Sequence, residues 1–375
     1  MDVLIKWSSS LPTLQGFLPP VSPKAYIVFL SIFQYFPMVA LLQLATPFHP
    51  QGKTSLPSSR LNFPGRYAWL CMESVGALNL LYTLYTGTSR FPDDQLPIWH
   101  KIVACLYVLH YLNRAVITPL FLAPSMSPIH LIIIVTAALF NYLNSSCIAG
   151  WLLGYGTPIL GSTAPPPEPT HISSTSNFST KYFPAAYLPY IGLFLFVIGA
   201  YGNIKAEGTL FRLRREEVDN NNSNTNNHNK IDYNTNKTNP PQNPKNKYDK
   251  VYVLPPPTGW FRTILFPHYV LEWLEWFGFL LIGFSITPGP SATTTASPAA
   301  FTTTPPLALA PYYTLIAKLL DKWGLPFPLP AIAFLVNAIS TTAVRASWGR
   351  KWYVDRFGAD RVGKRGAFVP YFKWL

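Results

Sequence analysis

Seven apolar stretches, each about as long as a membrane helix, constrain this chain more than any other feature. A helix needs about 20 mostly apolar residues to cross roughly 30 Å of hydrocarbon. Only 12% of the 375 residues are charged, whereas soluble domains average about 25%. The stretches lie at residues 23–46, 66–87, 98–122, 128–155, 182–206, 264–284 and 325–347. The sequence therefore predicts an all-α polytopic membrane protein with about seven transmembrane helices in one bundle.

The segments between these stretches divide the chain into parts. Residues 1–22 are predicted to be an extracytosolic N-terminal segment, and residues 23–375 to form the membrane domain. Residues 218–247 contain 12 asparagines among 30 residues and are predicted to be disordered, because they cannot bury enough apolar surface to offset their ordering entropy. The Thr/Ala/Pro tract at 287–306 is predicted to be a second disordered insertion.

The basic residues predict the orientation of the bundle. With seven spans, 21 Lys and Arg residues fall on the side that holds the C-terminus and 7 on the other side, while Arg114 lies within a span. Cytosolic segments carry the excess of Lys and Arg, so we expect a cytosolic C-terminus. The net charge of +13 is typical of proteins that bind nucleic acid or an anionic membrane surface. Because the chain is so apolar, we expect the membrane and no nucleic-acid partner.

Polar and charged side chains inside the apolar stretches mark the candidate site, because such groups are costly in hydrocarbon and usually functional. These residues follow helical spacing within four of the stretches, and an arginine-rich rim follows the seventh. They are Arg66 and Glu73; His110, Tyr111 and Arg114; Asn203 and Glu207; and His268, Glu272 and Glu275. Each one alone could serve in packing or in a structural ion pair. Together they predict a deep apolar pocket with an anion-binding mouth.

Motifs of several common enzyme classes are absent from the sequence. There is no GxGxxG after a strand, no GxxxxGK[ST], no HExxH and no GxSxG. The three cysteines show no metal-ligand spacing, so we expect no metal. An anionic cofactor would have to be held by helices and arginine side chains.

Five motifs, in this order, resemble those of the steroid 5α-reductase family. They are FPGRYAWLCMES (63–74), LHYLNRAV (109–116), IGLFLFVIGAYGNIKAE (191–207), PHYVLEWLEWFGF (267–279) and VRASWGRKWYVDRF with GKRGAFVPY (344–371). The resemblance covers roughly residues 60–375 outside the two insertions, and these suggest a fungal-type member. It implies a seven-helix bundle in the endoplasmic reticulum membrane, with a pocket that opens to the cytosol.

The resemblance also implies an activity and a set of site residues. The activity is NADPH-dependent reduction of a C=C bond conjugated to a carbonyl in a lipid, with a 3-oxo-Δ4 steroid or a similar lipid as substrate. Glu73 and Tyr111 would be catalytic and hold the carbonyl oxygen, and Trp69 and Arg114 would bind the substrate. The cofactor residues would be Asn203, Glu207, Arg214, His268, Glu272, Arg345, Tyr353 and Arg365.

Three positions depart from the family pattern. The family usually has a His before its basic-aromatic-Tyr run, where this chain has Gly349 followed by Arg350; we expect Arg350 to pair with a cofactor phosphate. A basic residue after the third span is missing at 123–127, and Asn144 aligns only with a shift. Two alternatives stay open: a polyprenol or enoyl-CoA reductase of the same superfamily, and a non-catalytic lipid-binding membrane protein.

The chemistry explains why such a site needs a hydrogen-bond donor. Hydride adds to a conjugated C=C bond only if negative charge can develop on the carbonyl oxygen, and donors aimed at that oxygen stabilise the charge. Tyr111 is predicted to be such a donor. Glu73 is predicted to be either a second donor, as a neutral buried acid, or the residue that orients Tyr111.

Overall fold

A computed structural model describes residues 12–46, 59–88, 96–156, 185–228, 246–249, 251–287 and 307–372. Two short strands, β1 (Asn62–Phe63) and β2 (Ile129–His130), pair antiparallel. The α-helices of the described residues are α1 (Pro23–Phe33), α2 (Met38–Ala45), α3 (Gly65–Gly87), α4 (Ile98–Tyr111), α5 (Leu131–Leu152), α6 (Leu188–His228), α7 (Pro267–Gly283), α8 (Pro311–Lys322), α9 (Leu329–Phe357) and α10 (Ala359–Val362). A π-helix, Leu112–Leu122, continues α4.

Six helical stretches within the described residues are long and apolar enough to cross a membrane. They are Pro23–Ala45, Ile98–Leu122, Leu131–Leu152, Leu188–Asn220, Pro267–Ile286 and Leu329–Phe357. Helix α3 occupies the remaining predicted range; its 23 residues are long enough to span, but it is less apolar because it carries Arg66 and Glu73. The prediction of an all-α polytopic membrane protein is therefore confirmed, with six spans by this criterion and α3 as a seventh long helix.

Prolines set the start of several helices. Pro23, Pro267, Pro311 and Pro330 each lie in the first two positions of a helix, where the missing N–H has no intrahelical partner to lose. Helix α1 is also capped by Ser22, whose hydroxyl accepts a hydrogen bond from the N–H of Ala25 at 3.2 Å. The prolines between apolar runs thus act as helix boundaries.

Helices α6 and α7 lie in close contact because glycines face each other. A Cβ atom built on Gly199 would lie 2.4 Å from the backbone nitrogen of Glu275, and one on Gly278 would lie 2.5 Å from the nitrogen of Phe196. Small residues allow this close approach of membrane helices. The contact brings the polar residues of α7 close to those of α6.

The π-helix is held at its C-terminal end by arginines from other helices. The guanidinium of Arg66 donates to the carbonyl oxygens of Pro119, Leu120, Ala123 and Pro124. These carbonyls lie at or just beyond the last turn, where intrahelical donors are missing. Arg66 therefore has a structural role, because its guanidinium binds these main-chain oxygens.

One predicted boundary differs from the structure. Helix α6 continues to His228, so residues 218–228 of the stretch predicted to be disordered are helical. The rest of that insertion up to residue 245, residues 288–306 of the second insertion and residues 1–11 lie outside the described residues.

Candidate active site

Charged side chains from four elements meet inside the bundle, and all but the partly exposed Arg114 are buried. We call Glu73 (α3), His110 (α4), Arg114 (π-helix), Glu272 and Glu275 (α7) the inner cluster. Arg114 lies between two carboxylates, with its Nε 3.3 Å from Glu73 Oε1 and its Nη1 3.6 Å from Glu272 Oε1. The sequence placed these residues on three predicted spans, and the structure brings them together.

His110 extends the inner cluster along α7. Its Nδ1 lies 2.8 Å from Glu275 Oε1, and its Nε2 lies 3.9 Å from Glu272 Oε1. Its ring also packs against Trp276, with the ring centroids 4.4 Å apart. The sequence listed His110 among the residues that mark the candidate site but assigned it no catalytic, substrate or cofactor role, and the structure shows its two carboxylate partners.

Tyr111 and Glu73 are joined through a third residue, Asn141 of α5. The Tyr111 hydroxyl donates to Asn141 Oδ1 at 2.9 Å. The Asn141 Nδ2 donates to Glu73 Oε2 at 3.3 Å and to the carbonyl of Met72 at 2.8 Å. The two predicted catalytic residues are therefore neighbours within one hydrogen-bonded group, and all three are buried.

Asn141 was not predicted, although a signal was present. Asn141 and Ser145 are four residues apart, so they share one helix face, and that face meets α3. Spacing in the sequence cannot tell which polar residue of an apolar helix faces a catalytic group, because the partner helix is not adjacent in sequence.

Trp69 supports the main chain and the charge of Arg114. Its indole Nε1 donates to the Arg114 carbonyl at 3.0 Å, and the Arg114 guanidinium lies 5.3 Å from the centre of its ring. Such a cation–π contact is favourable when it is shielded from water. The structure thus places both predicted substrate-binding residues together beside Glu73.

The predicted cofactor residues of α6 and α7 flank the inner cluster. Asn203 is buried and lies one turn from Glu207 on α6, and Glu207 lies within electrostatic range of Arg114 and Glu272. The rings of His268 and Tyr353 each pack on Phe266, at 5.8 and 5.9 Å. These residues line the same end of the bundle as the C-terminal arginines.

Most arginines at this end bond to main-chain oxygens. We call Arg66, Arg215, Arg350 and Arg365 the arginine rim. Arg365 is 4% exposed and donates to the carbonyls of Val362, Pro255 and Arg361. Burial lowers the pKa of its guanidinium from the ordinary value.

Arg350 and Arg214 have protein partners as well. The Arg350 Nε donates to the Arg365 carbonyl at 2.9 Å, and Arg214 donates to Ser125 Oγ at 2.6 Å and to the Tyr248 carbonyl at 3.0 Å. Arg214, Arg350 and Arg365, which were predicted to bind the cofactor, therefore help to hold loops in place.

Arg345 differs from the arginine rim. Its buried Nε has no hydrogen-bond partner among the described residues, and the same holds for the Nε of Arg214. Arg345 lies near Tyr269, and Arg214 near Tyr353. Two guanidinium groups with unused donors beside a buried aromatic cluster match the chemistry of an anionic ligand such as a dinucleotide phosphate.

Gly349 is explained by its neighbour Phe266. A Cβ atom built on Gly349 would lie 2.2 Å from Phe266 Cζ, so a larger residue cannot be placed there while this ring stays in position. The Phe266 ring stacks on Tyr269 with 8° between the ring planes. The glycine at this position of α9 therefore leaves room for the Phe266 ring at the start of α7.

Comparisons with known proteins give distant relatives. No protein-family model matches the chain. An uncharacterized protein of Schizosaccharomyces pombe is 29% identical over 283 residues, which are 71% of this chain and 83% of the relative. The steroid 5-alpha-reductase DET2 of Arabidopsis thaliana is 22% identical over 81% of this chain and 80% of its own length. Its namesake from Solanum lycopersicum is 23% identical over 92% and 95%.

These matches extend over most of each protein, so they are not limited to one motif. The chain is a distant homologue of two plant proteins named steroid 5-alpha-reductase. Within the described residues no group of three or more His, Cys, Asp or Glu side chains could hold a metal ion.

Proposed function

We propose that the protein is an NADPH-dependent reductase of the steroid 5α-reductase superfamily. It reduces a C=C bond conjugated to a carbonyl in a lipid, and a 3-oxo-Δ4 steroid is the substrate we favour. The observation that carries the proposal is the buried group in which Tyr111, Asn141 and Glu73 meet Arg114. The distant homology to plant steroid 5-alpha-reductases supports it.

Tyr111 is the hydrogen-bond donor to the carbonyl oxygen in this proposal. As hydride adds to the β-carbon, electrons move through the conjugated system and charge develops on that oxygen. A fixed donor in a site that excludes water stabilises this charge more in the transition state than in the ground state. Tyr111 is only 4% exposed, so its O–H acts in such an environment.

Glu73 is assigned the orienting role rather than that of a second donor. Its Oε1 faces Arg114 Nε at 3.3 Å, and its Oε2 accepts from Asn141 Nδ2 at 3.3 Å. Both carboxylate oxygens thus serve as acceptors. Glu73 holds Asn141 and Arg114, and these two residues border the place where the substrate oxygen must lie to reach Tyr111.

The cofactor is assigned to the end of the bundle where α6, α7 and α9 meet. Arg345 and Arg214 would pair with its phosphates, because their Nε donors are unused and guanidinium groups bind phosphate strongly. Asn203, Glu207, His268, Glu272 and Tyr353 would contact its ribose and ring groups. When bound, the nicotinamide supplies the hydride, which is chemistry of the cofactor itself. The α-carbon takes its proton from solvent or from a buried acid.

The proposed location is the endoplasmic reticulum membrane with a cytosolic C-terminus. The six apolar helical stretches support an integral membrane protein, and the excess of Lys and Arg beside the C-terminal helix supports the orientation. A cytosolic mouth would give the site access to NADPH.

A substrate panel tests the proposal. Purified protein is incubated with NADPH and, separately, with a 3-oxo-Δ4 steroid, a polyprenol and an enoyl-CoA, and products are analysed by mass spectrometry. We expect the steroid to gain two hydrogen atoms. Reduction of only the polyprenol or the thioester would move the assignment to that sister activity. If none of the compounds leads to NADPH oxidation and NADPH does not raise the thermal stability of the protein, the non-catalytic lipid-binding alternative is favoured.

A further inference from the structure

We propose that Asn141 is a positioning residue, which holds the Tyr111 hydroxyl in place in the site until a substrate oxygen accepts its proton. This inference rests on the proposed function for its kinetic consequence, while the hydrogen-bond geometry that it uses is independent of any substrate.

The amide of Asn141 joins three helices at one point. It lies on α5, its Nδ2 donates to Met72 and Glu73 of α3, and its Oδ1 accepts from Tyr111 of α4. It is 3% exposed, so water does not compete for these bonds. Loss of any one bond would leave a buried polar group unsatisfied, which is costly.

The partners of Asn141 fix which way its amide points. A main-chain carbonyl and a carboxylate only accept hydrogen bonds, so the group that faces Met72 and Glu73 must be the NH₂. The amide cannot be turned over without placing its oxygen against two other oxygens. Its Oδ1 is therefore committed to the Tyr111 proton.

This commitment orients the phenol. Tyr111 has one hydroxyl proton, and in this structure it is donated to Asn141 Oδ1, which holds the phenol oxygen next to the group that also binds Glu73. A substrate oxygen that enters beside Glu73 accepts this proton in place of Asn141 Oδ1, so the phenol changes its acceptor without having to be repositioned as charge develops. Gly76 completes the arrangement, because a Cβ atom there would lie 3.3 Å from Tyr111 Cε1 and press on the ring.

Asn79 provides a matched control within the same helix pair. It is also a buried asparagine between α3 and α5, and its Nδ2 donates to Ser145 Oγ at 2.8 Å and to Ser146 Oγ at 2.9 Å. Within the described part of the chain, these hydrogen bonds of Asn79 involve neither Tyr111 nor the inner cluster. Substitutions at Asn79 therefore report the general cost of losing a buried amide.

The first test needs no substrate. Protein is labelled with tyrosine carrying ¹³C at the ζ position, and the Tyr111 signal is identified as the one missing from Tyr111→Phe. We expect Asn141→Leu to shift this signal, because the ζ carbon senses the hydroxyl's hydrogen bond, and Asn79→Leu to leave it in place. An unchanged signal in Asn141→Leu would overturn the inference whether or not the protein is a reductase.

The second test uses an isosteric acid and pH. In Asn141→Asp, an ionised carboxylate faces Glu73 and the Met72 carbonyl with no proton to donate. A protonated carboxyl can donate to one of them while its other oxygen accepts from Tyr111. We therefore expect kcat of Asn141→Asp to be low at neutral pH and to rise as the pH falls, relative to the wild-type profile.

Asn141→Leu should lose about 100-fold in kcat at every pH, the scale of a misplaced reacting group, with little change in the KM for NADPH. Asn79→Asp, measured per folded molecule, should follow the wild-type pH profile. If the wild type turns over the steroid and Asn141→Leu matches it, the inference is wrong and the proposed function stands. If no compound is reduced but the Tyr111 signal depends on Asn141, the proposed function fails and the positioning geometry stands.

Discussion

The inner cluster and the arginine rim use the same kinds of charged side chain in different ways. In the inner cluster, charges pair with other side chains across helices, as Arg114 does with Glu73 and Glu272. In the arginine rim, guanidinium groups bond mainly to main-chain oxygens, as Arg365 does with three carbonyls. The first arrangement creates a polar site inside the bundle, and the second holds loops at its end.

This difference shows that an arginine in a family motif is not by itself evidence of a phosphate ligand. A guanidinium has five N–H donors, and where main-chain carbonyls take up several of them the side chain is part of the scaffold. Arg345 has a buried Nε without a partner among the described residues, so it is the better candidate for binding an anion.

The largest effect is expected from removing the charge that joins the inner cluster. Arg114→Met leaves Glu73 and Glu272 buried without their cation, and breaking a buried pair in this way costs about 3–5 kcal/mol. Chemical unfolding in detergent would measure the loss. Arg212→Met is the control, because Arg212 pairs with Glu216 on the exposed face of α6 and such pairs contribute about 0.5 kcal/mol. Equal losses in the two variants would contradict the account.

The arginine rim should respond in stability rather than in cofactor affinity. Arg365→Met removes donors from three carbonyls, two of them in buried contacts, so we expect the free energy of unfolding to fall by about 1–3 kcal/mol. The KM for NADPH of the folded fraction should stay within about twofold of the wild-type value, a difference of under 0.5 kcal/mol. A large rise in that KM with unchanged stability would return Arg365 to the phosphate site.

The contact between Gly349 and Phe266 gives a prediction of similar size. Gly349→Ala places a Cβ atom where it overlaps Phe266 Cζ, and overpacking of this kind costs about 1–3 kcal/mol. Thermal unfolding would detect it. The double variant Gly349→Ala with Phe266→Leu should recover part of the loss, whereas additive losses would show that the two residues do not interact.

The smallest of these effects concerns Arg345. Arg345→Ala should raise the KM for NADPH by about tenfold, the equivalent of one charged hydrogen bond, and change the KM for the lipid less. Steady-state kinetics with each substrate varied in turn would measure both constants. An NADPH dependence equal to that of the wild type would remove Arg345 from the cofactor site.

The sequence predicted the class of fold because apolar length is a strong signal, and six of the seven predicted stretches match apolar helices. Polar residues within the apolar stretches predicted one pocket, and the family resemblance assigned Glu73 and Tyr111 to the substrate carbonyl and Glu272 to the cofactor. The sequence did not reveal Asn141, whose role depends on α5 packing against α3.

The roles of the arginines were also beyond the reach of the sequence. Arg350 and Arg365 look like phosphate ligands in a basic stretch, but their partners are carbonyls that fold back from Pro255 and from the turn at residues 361–365. The glycine at position 349, which departs from the family pattern, could not be explained without Phe266, which lies more than eighty residues earlier in the chain.

The central claim is that Tyr111 stabilises the charge on a substrate oxygen and that Glu73 orients the residues beside it. The most direct measurement is kcat for the 3-oxo-Δ4 steroid in purified Tyr111→Phe and Glu73→Gln, with folding checked by thermal unfolding. We predict that Tyr111→Phe loses about 10²-fold or more in kcat, the scale for removing one donor from an oxyanion site. We predict a loss of similar size in Glu73→Gln, because Arg114 and Asn141 lose the carboxylate that holds them, and we expect the KM for NADPH to change little in both variants. Wild-type turnover in both folded variants would contradict the account.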